Sequence, residues 1–223
     1  MLDKLLKVRL GELLRQSSQE VGVSLEDLQI ELFALYLQEL LEWNKTFNLT
    51  GIRDPGDIVI KHFVDSLTPL PYLKSSGRLL DIGPGAGFPS IPLKIAAAEL
   101  QVQLVEASRK KVSFVKHIIR TLKLESVMVI HSRVEDVELP DKPFDTIISR
   151  AFTRLEPLLK IVSPLMEPGN TLVAMFGPTT AKDHLSLAHC ALAESLELNR
   201  VVSLELPRGR GGRTLLFFIK IQF

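Results

Sequence analysis

The hydrophobic pattern changes period once along the chain, near residue 70. Over residues 1–16, Leu2, Leu5, Leu6, Leu10, Leu13 and Leu14 fall near helical spacing and predict an amphipathic helix. Ser24 to Asp27 carries an N-cap signal. It predicts a long helix over about 25–43, with Leu28, Leu32, Leu35 and Tyr36 among its core positions. Residues 44–55, NKTFNLTGIRDP, are polar and broken by Gly51 and Pro55. Asp57 can cap a third helix, DIVIKHFVDSL, which ends before Pro69 and Pro71. This front section has no strand alternation. It reads as a helical cap, residues 1–70, ahead of a main domain, residues 71–223.

From Arg78 onward short apolar runs alternate with amphipathic stretches. Strands are predicted at 78–82, 101–106, 127–131, 144–149, 170–176, 199–206 and 213–222, with helices at 88–98, 109–123, 155–166 and 180–195. Such alternation predicts an α/β domain, a mostly parallel sheet with helices on both faces. The last two strands have no helix between them. They are joined by RGRGG, residues 208–212, which predicts a closing antiparallel hairpin.

The stretch LLDIGPGAGFPS, residues 79–90, stands at the first strand end. Asp81 closes the strand, Gly83, Gly85 and Gly87 follow, and a helix is predicted from near Phe88. Glycine permits positive φ and lets ligand atoms approach the backbone. The first turn of the helix offers free N–H groups. The spacing is D-x-G-x-G-x-G rather than the dinucleotide pattern G-x-G-x-x-G. It resembles motif I of the class I methyltransferases, which bind S-adenosylmethionine. Another nucleotide binder or a purely structural turn remain the alternatives at this point.

Composition narrows the class. The chain has 223 residues, 46% of them apolar, which suffices for one α/β domain with a small addition. A net charge of +1 excludes a uniformly basic nucleic-acid binder, so any such surface comes from local clustering. The single cysteine, Cys190, excludes an internal disulfide and reads as a small helix residue. No apolar run reaches the roughly 18 residues of a membrane span. The N-terminal MLDKLLKVRLGELL lacks a signal-peptide core, so a soluble cytoplasmic protein is expected. His62 has no partner at metal-ligand spacing, so no metal site is expected, and its plain reading is a helix-surface or capping histidine.

Strand ends carry the remaining candidates, because ligands of open α/β sheets bind beyond the carboxyl ends of the strands. Glu106 ends strand 2, where a carboxylate can accept ribose hydroxyls. Val134 and Glu135, in HSRVEDV after strand 3, can reach an adenine edge. FDTIISRAF, residues 144–152, is strand 4 with its exit turn and contains Arg150.

WNKTFNLTGIRDP, KHFVDSL, LLDIGPGAGFPSIPL, SRVED, FDTIISRAF and the closing GGRTLLFFIK together resemble the bacterial 16S rRNA guanine-N7 methyltransferase family, also called glucose-inhibited division protein B. The resemblance implies a class I fold with a seven-stranded sheet and a helical cap. It also implies S-adenosylmethionine as cofactor. The cofactor positions it implies are Gly83, Phe88, Glu106, Ala107, Ser108, Val134, Glu135 and Arg150, which join Asp81, Gly85 and Gly87 of the glycine-turn pattern. Its expected partner is 16S rRNA, a small ribosomal subunit or an assembly intermediate, met by a monomer. The family commonly has Lys-Gly after strand 5, where this chain has Phe176-Gly177; Phe176 can stack on a base or close the core.

Guanine N7 carries a lone pair and no proton, so its methylation needs no general base. The amine-specific (D/N)PP(Y/F) tetrad is replaced here by SRAF. Arg150, Asn48 and His62 are positioning candidates. Arg53, Arg109, Lys116, Arg120, Lys123, Arg208, Arg210 and Arg213 are RNA-contact candidates, the last three in a flexible basic link. A small-molecule methyltransferase and a non-catalytic RNA-binding assembly factor are the competing readings.

Overall fold

The structure, a computed structural model, describes residues 4–139, 143–150 and 154–222. Helices α1 (Lys4–Glu20) and α2 (Asp27–Phe47) open the chain. A third helical run follows as α3 (Pro55–Ile58), a π-helical stretch (Val59–Val64) and α4 (Asp65–Leu67). Then come β1 (Gly77–Ile82), α5 (Ser90–Ala96), β2 (Leu100–Glu106), α6 (Arg109–Thr121), β3 (Val127–His131) and β4 (Thr146–Arg150). The chain ends with α7 (Leu155–Val162), β5 (Thr171–Phe176), α8 (Ala181–Ala193), β6 (Leu196–Glu205) and β7 (Gly212–Lys220).

Among the described residues the strands form one sheet of order β3-β2-β1-β4-β5-β7-β6. β1 to β5 pair in parallel, and β7 runs antiparallel to both β5 and β6. The sheet reverses direction of winding between β1 and β4, which is where such sheets bind ligands. Its strands alternate between two cores, as a period of two demands. Leu79, Leu104, Ile148, Val173 and Phe217 face one core, and Leu80, Val105, Ile147, Leu172 and Phe218 the other. The first core is shared with α1, α2 and the π-helical run through Leu14, Phe33, Tyr36 and Phe63, so the helical cap has no core of its own.

Several local expectations shift. The cap of the third helical run is Asp54, whose Oδ1 accepts from Asp57 N at 2.8 Å, with Pro55 at the first helical position. Asp57 lies one turn inside. Glu26 rather than Ser24 caps α2, and Glu26 N donates to Gln29 Oε1 at 2.8 Å. Leu28 is 65% exposed, because the buried face of α2 runs through Phe33, Tyr36, Leu37 and Leu40. β6 begins three residues earlier than expected, at Leu196, where Ser195 turns the chain with φ +57°.

Candidate cofactor cleft and the network behind it

The glycine turn is built from backbone in the left-handed region, which residues other than glycine rarely adopt. Gly83, Gly85 and Gly87 have φ of +71°, +61° and +101°. A Cβ on Gly87 would lie 2.8 Å from both Ile91 Cγ1 and Tyr36 Oη. Gly83 N donates to Val105 O at 2.9 Å, which closes the turn onto β2. Glu106 ends that strand and is buried. Its Oε2 accepts from Gly85 N at 2.9 Å and its Oε1 from Ser108 N at 2.7 Å. Each oxygen keeps a further lone pair.

Beside this turn lies a cleft of about 330 Å³ lined by Gly83, Val105, Glu106, Ala107, Lys111, Ser132, Arg133, Val134 and Glu135. The predicted positions after strands 1, 2 and 3 therefore meet at one place. Lys111 was not among the predicted cofactor residues. Its Nζ lies 3.9 Å from where a Gly85 Cβ would sit; Lys111 stands in the first turn of α6, which begins at Arg109, three residues after Glu106. A larger groove of about 780 Å³ shares no residue with this cleft; it runs along the end of α2 and includes Asn44, Lys45, Asn48 and Arg53. Chemistry rather than size picks the smaller one, which alone combines the glycine turn with a strand-end carboxylate.

Asp81, Phe88 and Arg150 sit behind the cleft wall, not on it. Asp81 is fully buried; its Oδ2 accepts from Ser90 N at 3.2 Å and from Ser90 Oγ, while Oδ1 has no partner. Burial pushes its carboxyl up to about 7, against the pull of the Ser90 hydrogen bonds and the Arg150 cation. Phe88 is buried between two groups: His62 stacks on it at 4.6 Å between centroids, and the Arg150 guanidinium lies 5.2 Å from its centroid.

Arg150, at the end of β4, is satisfied by the helical cap. Nη1 donates to Lys61 O at 3.2 Å and to Asp65 Oδ2 at 3.1 Å, and Nη2 to His62 Nδ1 at 2.9 Å. Guanidinium can only donate, so His62 Nδ1 accepts and its proton sits on Nε2, 2.7 Å from Thr50 Oγ1. Burial, with the Arg150 cation beside it, pushes His62 down to about 3. His62, on the π-helical stretch, is thus a partly buried network residue with both ring nitrogens engaged, where a helix-surface or capping histidine was the plain reading. Asp65 also accepts from Arg213 Nε, at 2.9 Å on Oδ1, so one buried carboxylate holds two guanidinium groups.

The predicted RNA contacts divide. Arg109, Lys116, Arg120 and Lys123 are exposed along and just beyond α6, opposite the buried Val112, Val115 and Leu122. Arg208 is exposed, Arg210 pairs with Asp57 at 3.0 Å, and Arg213 is held by Asp65. The link expected to be a flexible loop opens with a 3-10 turn, Pro207–Gly209, and runs into β7 at Gly212, with Arg210 and Arg213 tied to the cap. Asp57 and Asp65 lie far away in sequence, which hid both pairings. Phe176 is partly buried against the core on the α7 and α8 side. Ala151 and Phe152 of SRAF lie outside the described residues. Among the described residues no His, Cys, Asp and Glu group is placed to hold a metal, and no helix is long and apolar enough to cross a membrane.

The cleft fits S-adenosylmethionine. It offers a carboxylate with free lone pairs for ribose hydroxyls, an apolar Val134 side chain for an adenine face, and glycine backbone that a ligand can approach closely. Sequence reasoning gave Lys111, Ser90 and Asp65 no role in the cofactor site, and named Tyr36 only as a core position. A tyrosine in the core phase of α2 was the available signal for Tyr36, since a buried hydroxyl needs a partner.

Comparison with known proteins bears on the family and on the fold. The family model described as GidB, rRNA small subunit methyltransferase G, matches residues 29–210. The Ribosomal RNA small subunit methyltransferase G of Syntrophus aciditrophicus (strain SB) is 39% identical over 93% of this chain and 88% of its own length. That of Geotalea uraniireducens (strain Rf4) is 40% identical over 94% and 96%. The crystal structure of a SAM dependent methyltransferase from Aquifex aeolicus superposes with a TM-score of 0.58 at 18% identity, covering 77% of this chain and 97% of that one; it supports the fold alone.

Proposed function

We infer, because the chain belongs to the rRNA small subunit methyltransferase G family, that it transfers a methyl group from S-adenosylmethionine to N7 of a guanine in 16S ribosomal RNA. The single observation that carries the reading is the meeting of Gly83, Glu106, Val134 and Glu135 around one cleft at the carboxyl edge of the sheet. The cofactor supplies a methyl carbon already activated by a sulfonium sulfur.

The chain's own groups bind and orient. Glu106 would accept from the ribose, Val134 and Glu135 would face the adenine, and Lys111 would close the cleft from α6. Guanine N7 presents a lone pair and no proton, so no residue has to remove a proton before the methyl group moves. This agrees with His62, whose two ring nitrogens are taken up by Arg150 and Thr50. What remains for the protein is alignment and charge placement.

The exposed cations of α6 form the face we assign to the RNA backbone. We further propose that the chain acts as a monomer in the cytoplasm on the small subunit or a precursor of it. The test is mapping of N7-methylguanine in 16S rRNA from cells lacking the gene, with and without this chain resupplied. Loss of one methylated guanine and its restoration are expected. An unchanged signal in the deleted strain would sink the substrate reading. Purified chain with labelled cofactor, offered naked 16S rRNA and small subunits separately, identifies the form of RNA it takes.

A further inference from the structure

The glycine turn is flexible by composition, yet two side chains grip it from opposite sides. Glu106 holds Gly85 N from β2, and Tyr36 of α2 donates its hydroxyl to Ala86 O at 2.5 Å. The two gripped groups belong to consecutive residues of a turn in which Gly83, Gly85 and Gly87 all have positive φ. Tyr36 is fully buried, and its ring stacks on Phe88 at 5.6 Å between centroids. Gly87 has no side chain at the point where Tyr36 Oη would be 2.8 Å from a Cβ. The cap and the turn are therefore shaped to each other.

We propose that Tyr36 is a positioning residue for the cofactor: from the helical cap it fixes the Ala86 carbonyl and so holds the turn in the one conformation that admits S-adenosylmethionine. The proposal rests on reading that turn as part of the cofactor seat. Without the hydroxyl, the buried Ala86 carbonyl loses its side-chain partner, and the 86–87 peptide is left to the Gly87 N–H bond to Pro84 O at 2.9 Å, between glycines that favour no single conformation. Glu106 cannot substitute, because a carboxylate accepts and does not donate, and its Oε2 engages the Gly85 N–H and not the Ala86 carbonyl. The helical cap thereby becomes part of the cofactor site and not an attachment to it.

The test compares the parent with Y36F, E106A and Q29A by calorimetric titration with S-adenosylmethionine, melting without cofactor, and steady-state kinetics on the ribosomal RNA substrate. Y36F keeps the ring and its stacking and is expected to fold. Its Kd and KM for the cofactor rise by about 3- to 10-fold, the worth of one hydrogen bond, with kcat at saturating cofactor unchanged. Q29A removes a different link of the cap, from Gln29 Nε2 to Ile95 O and Ala96 O at 3.0 and 3.1 Å; it lowers the melting temperature without moving Kd. E106A weakens the cofactor if the cleft is its seat. Cofactor affinity unchanged in Y36F but weakened in E106A overturns the role of Tyr36. Affinity weakened equally in Q29A reduces Tyr36 to ordinary cap packing and also overturns it. Affinity unchanged in E106A overturns the cleft assignment on which the proposal rests.

Discussion

Arg150 Nη2 donates to His62 Nδ1 across 2.9 Å, and this one contact fixes the protonation state of the histidine. A protonated His62 would turn an N–H toward a guanidinium. Burial opposes the charge as well, which places the folded pKa at about 3 against an ordinary 6.5. The sign follows: the neutral ring favours the folded state fully above pH 6.5, and that stability is lost as pH falls toward 3. Urea unfolding of H62Q at stepped pH is expected to show a flatter loss of stability over this window than the parent. Parallel curves would mean that His62 takes no part in acid unfolding. Nitrogen chemical shifts of the parent are expected to report the Nε2–H tautomer at neutral pH.

Asp65 is the next point of leverage. It is buried and carries Arg150 on one oxygen and Arg213 on the other. The three residues come from α4, β4 and β7, so the carboxylate ties the cap to the sheet at two strands. Breaking a buried pair from one side leaves uncompensated charge and costs about 3–5 kcal/mol. D65N is expected to lose stability in that range in denaturant titration, with little dependence on salt because the group is shielded. A loss below about 1 kcal/mol would put this cluster in the class of surface ion pairs.

Asp81 responds to pH in the opposite sense to His62. Its folded pKa is about 7 and its ordinary value 3.8. Below 3.8 both states hold the proton and there is no penalty. Between 3.8 and 7 the unfolded chain ionises while the folded one does not, so stability falls as pH rises; above 7 the loss stays constant. D81N removes the titration and keeps an oxygen for Ser90. It is expected to be more stable than the parent at pH 8, by on the order of a few kcal/mol, and equal to it near pH 4. Melting curves at the two pH values decide it. A variant less stable than the parent at pH 8 would show that burial of the Asp81 carboxylate carries no net penalty in the folded protein.

The strands and glycine turn were legible because their signals are local. β1, β2 and β3 lie within a residue of expectation, since a short apolar run bounded by glycine or a polar turn has few alternatives. The closing hairpin was legible for the same reason, though β6 starts earlier than its polar residues indicated. The surroundings of Arg150 were not legible. Lys61, His62 and Asp65 fall on a helix whose π-helical middle changes which side chains face inward, and no spacing rule encodes that turn. Tyr36 and Ala86 meet across fifty residues, and Asp65 and Arg213 across 148. Sequence identified each residue type but not its partner: it offered His62 both as a surface or capping histidine and as a positioning candidate, and Arg213 as an RNA contact, with neither tied to Arg150 or Asp65.

The α6 face proposed to meet RNA rests on that sorting of cations. Arg210 and Arg213 are engaged by carboxylates of the cap, whereas Lys116 and Arg120 stand exposed on α6 with the apolar Val112, Val115 and Ile118 turned inward. A phosphate contact releases counterions, so each one steepens the dependence of affinity on salt by nearly one unit in a log–log plot. K116A and R120A are each expected to raise the Kd for ribosomal RNA and to reduce that slope by about 1. Their kcat at saturating RNA and their Kd for S-adenosylmethionine should match the parent, because neither side chain lines the cleft. R210A makes the contrast: its charge already serves Asp57, so its salt slope should move less than either α6 variant. Filter-binding titrations from low to moderate salt separate the cases. Equal slopes for K116A, R120A and the parent would remove α6 from the RNA path and turn attention to the groove that holds Asn48 and Arg53.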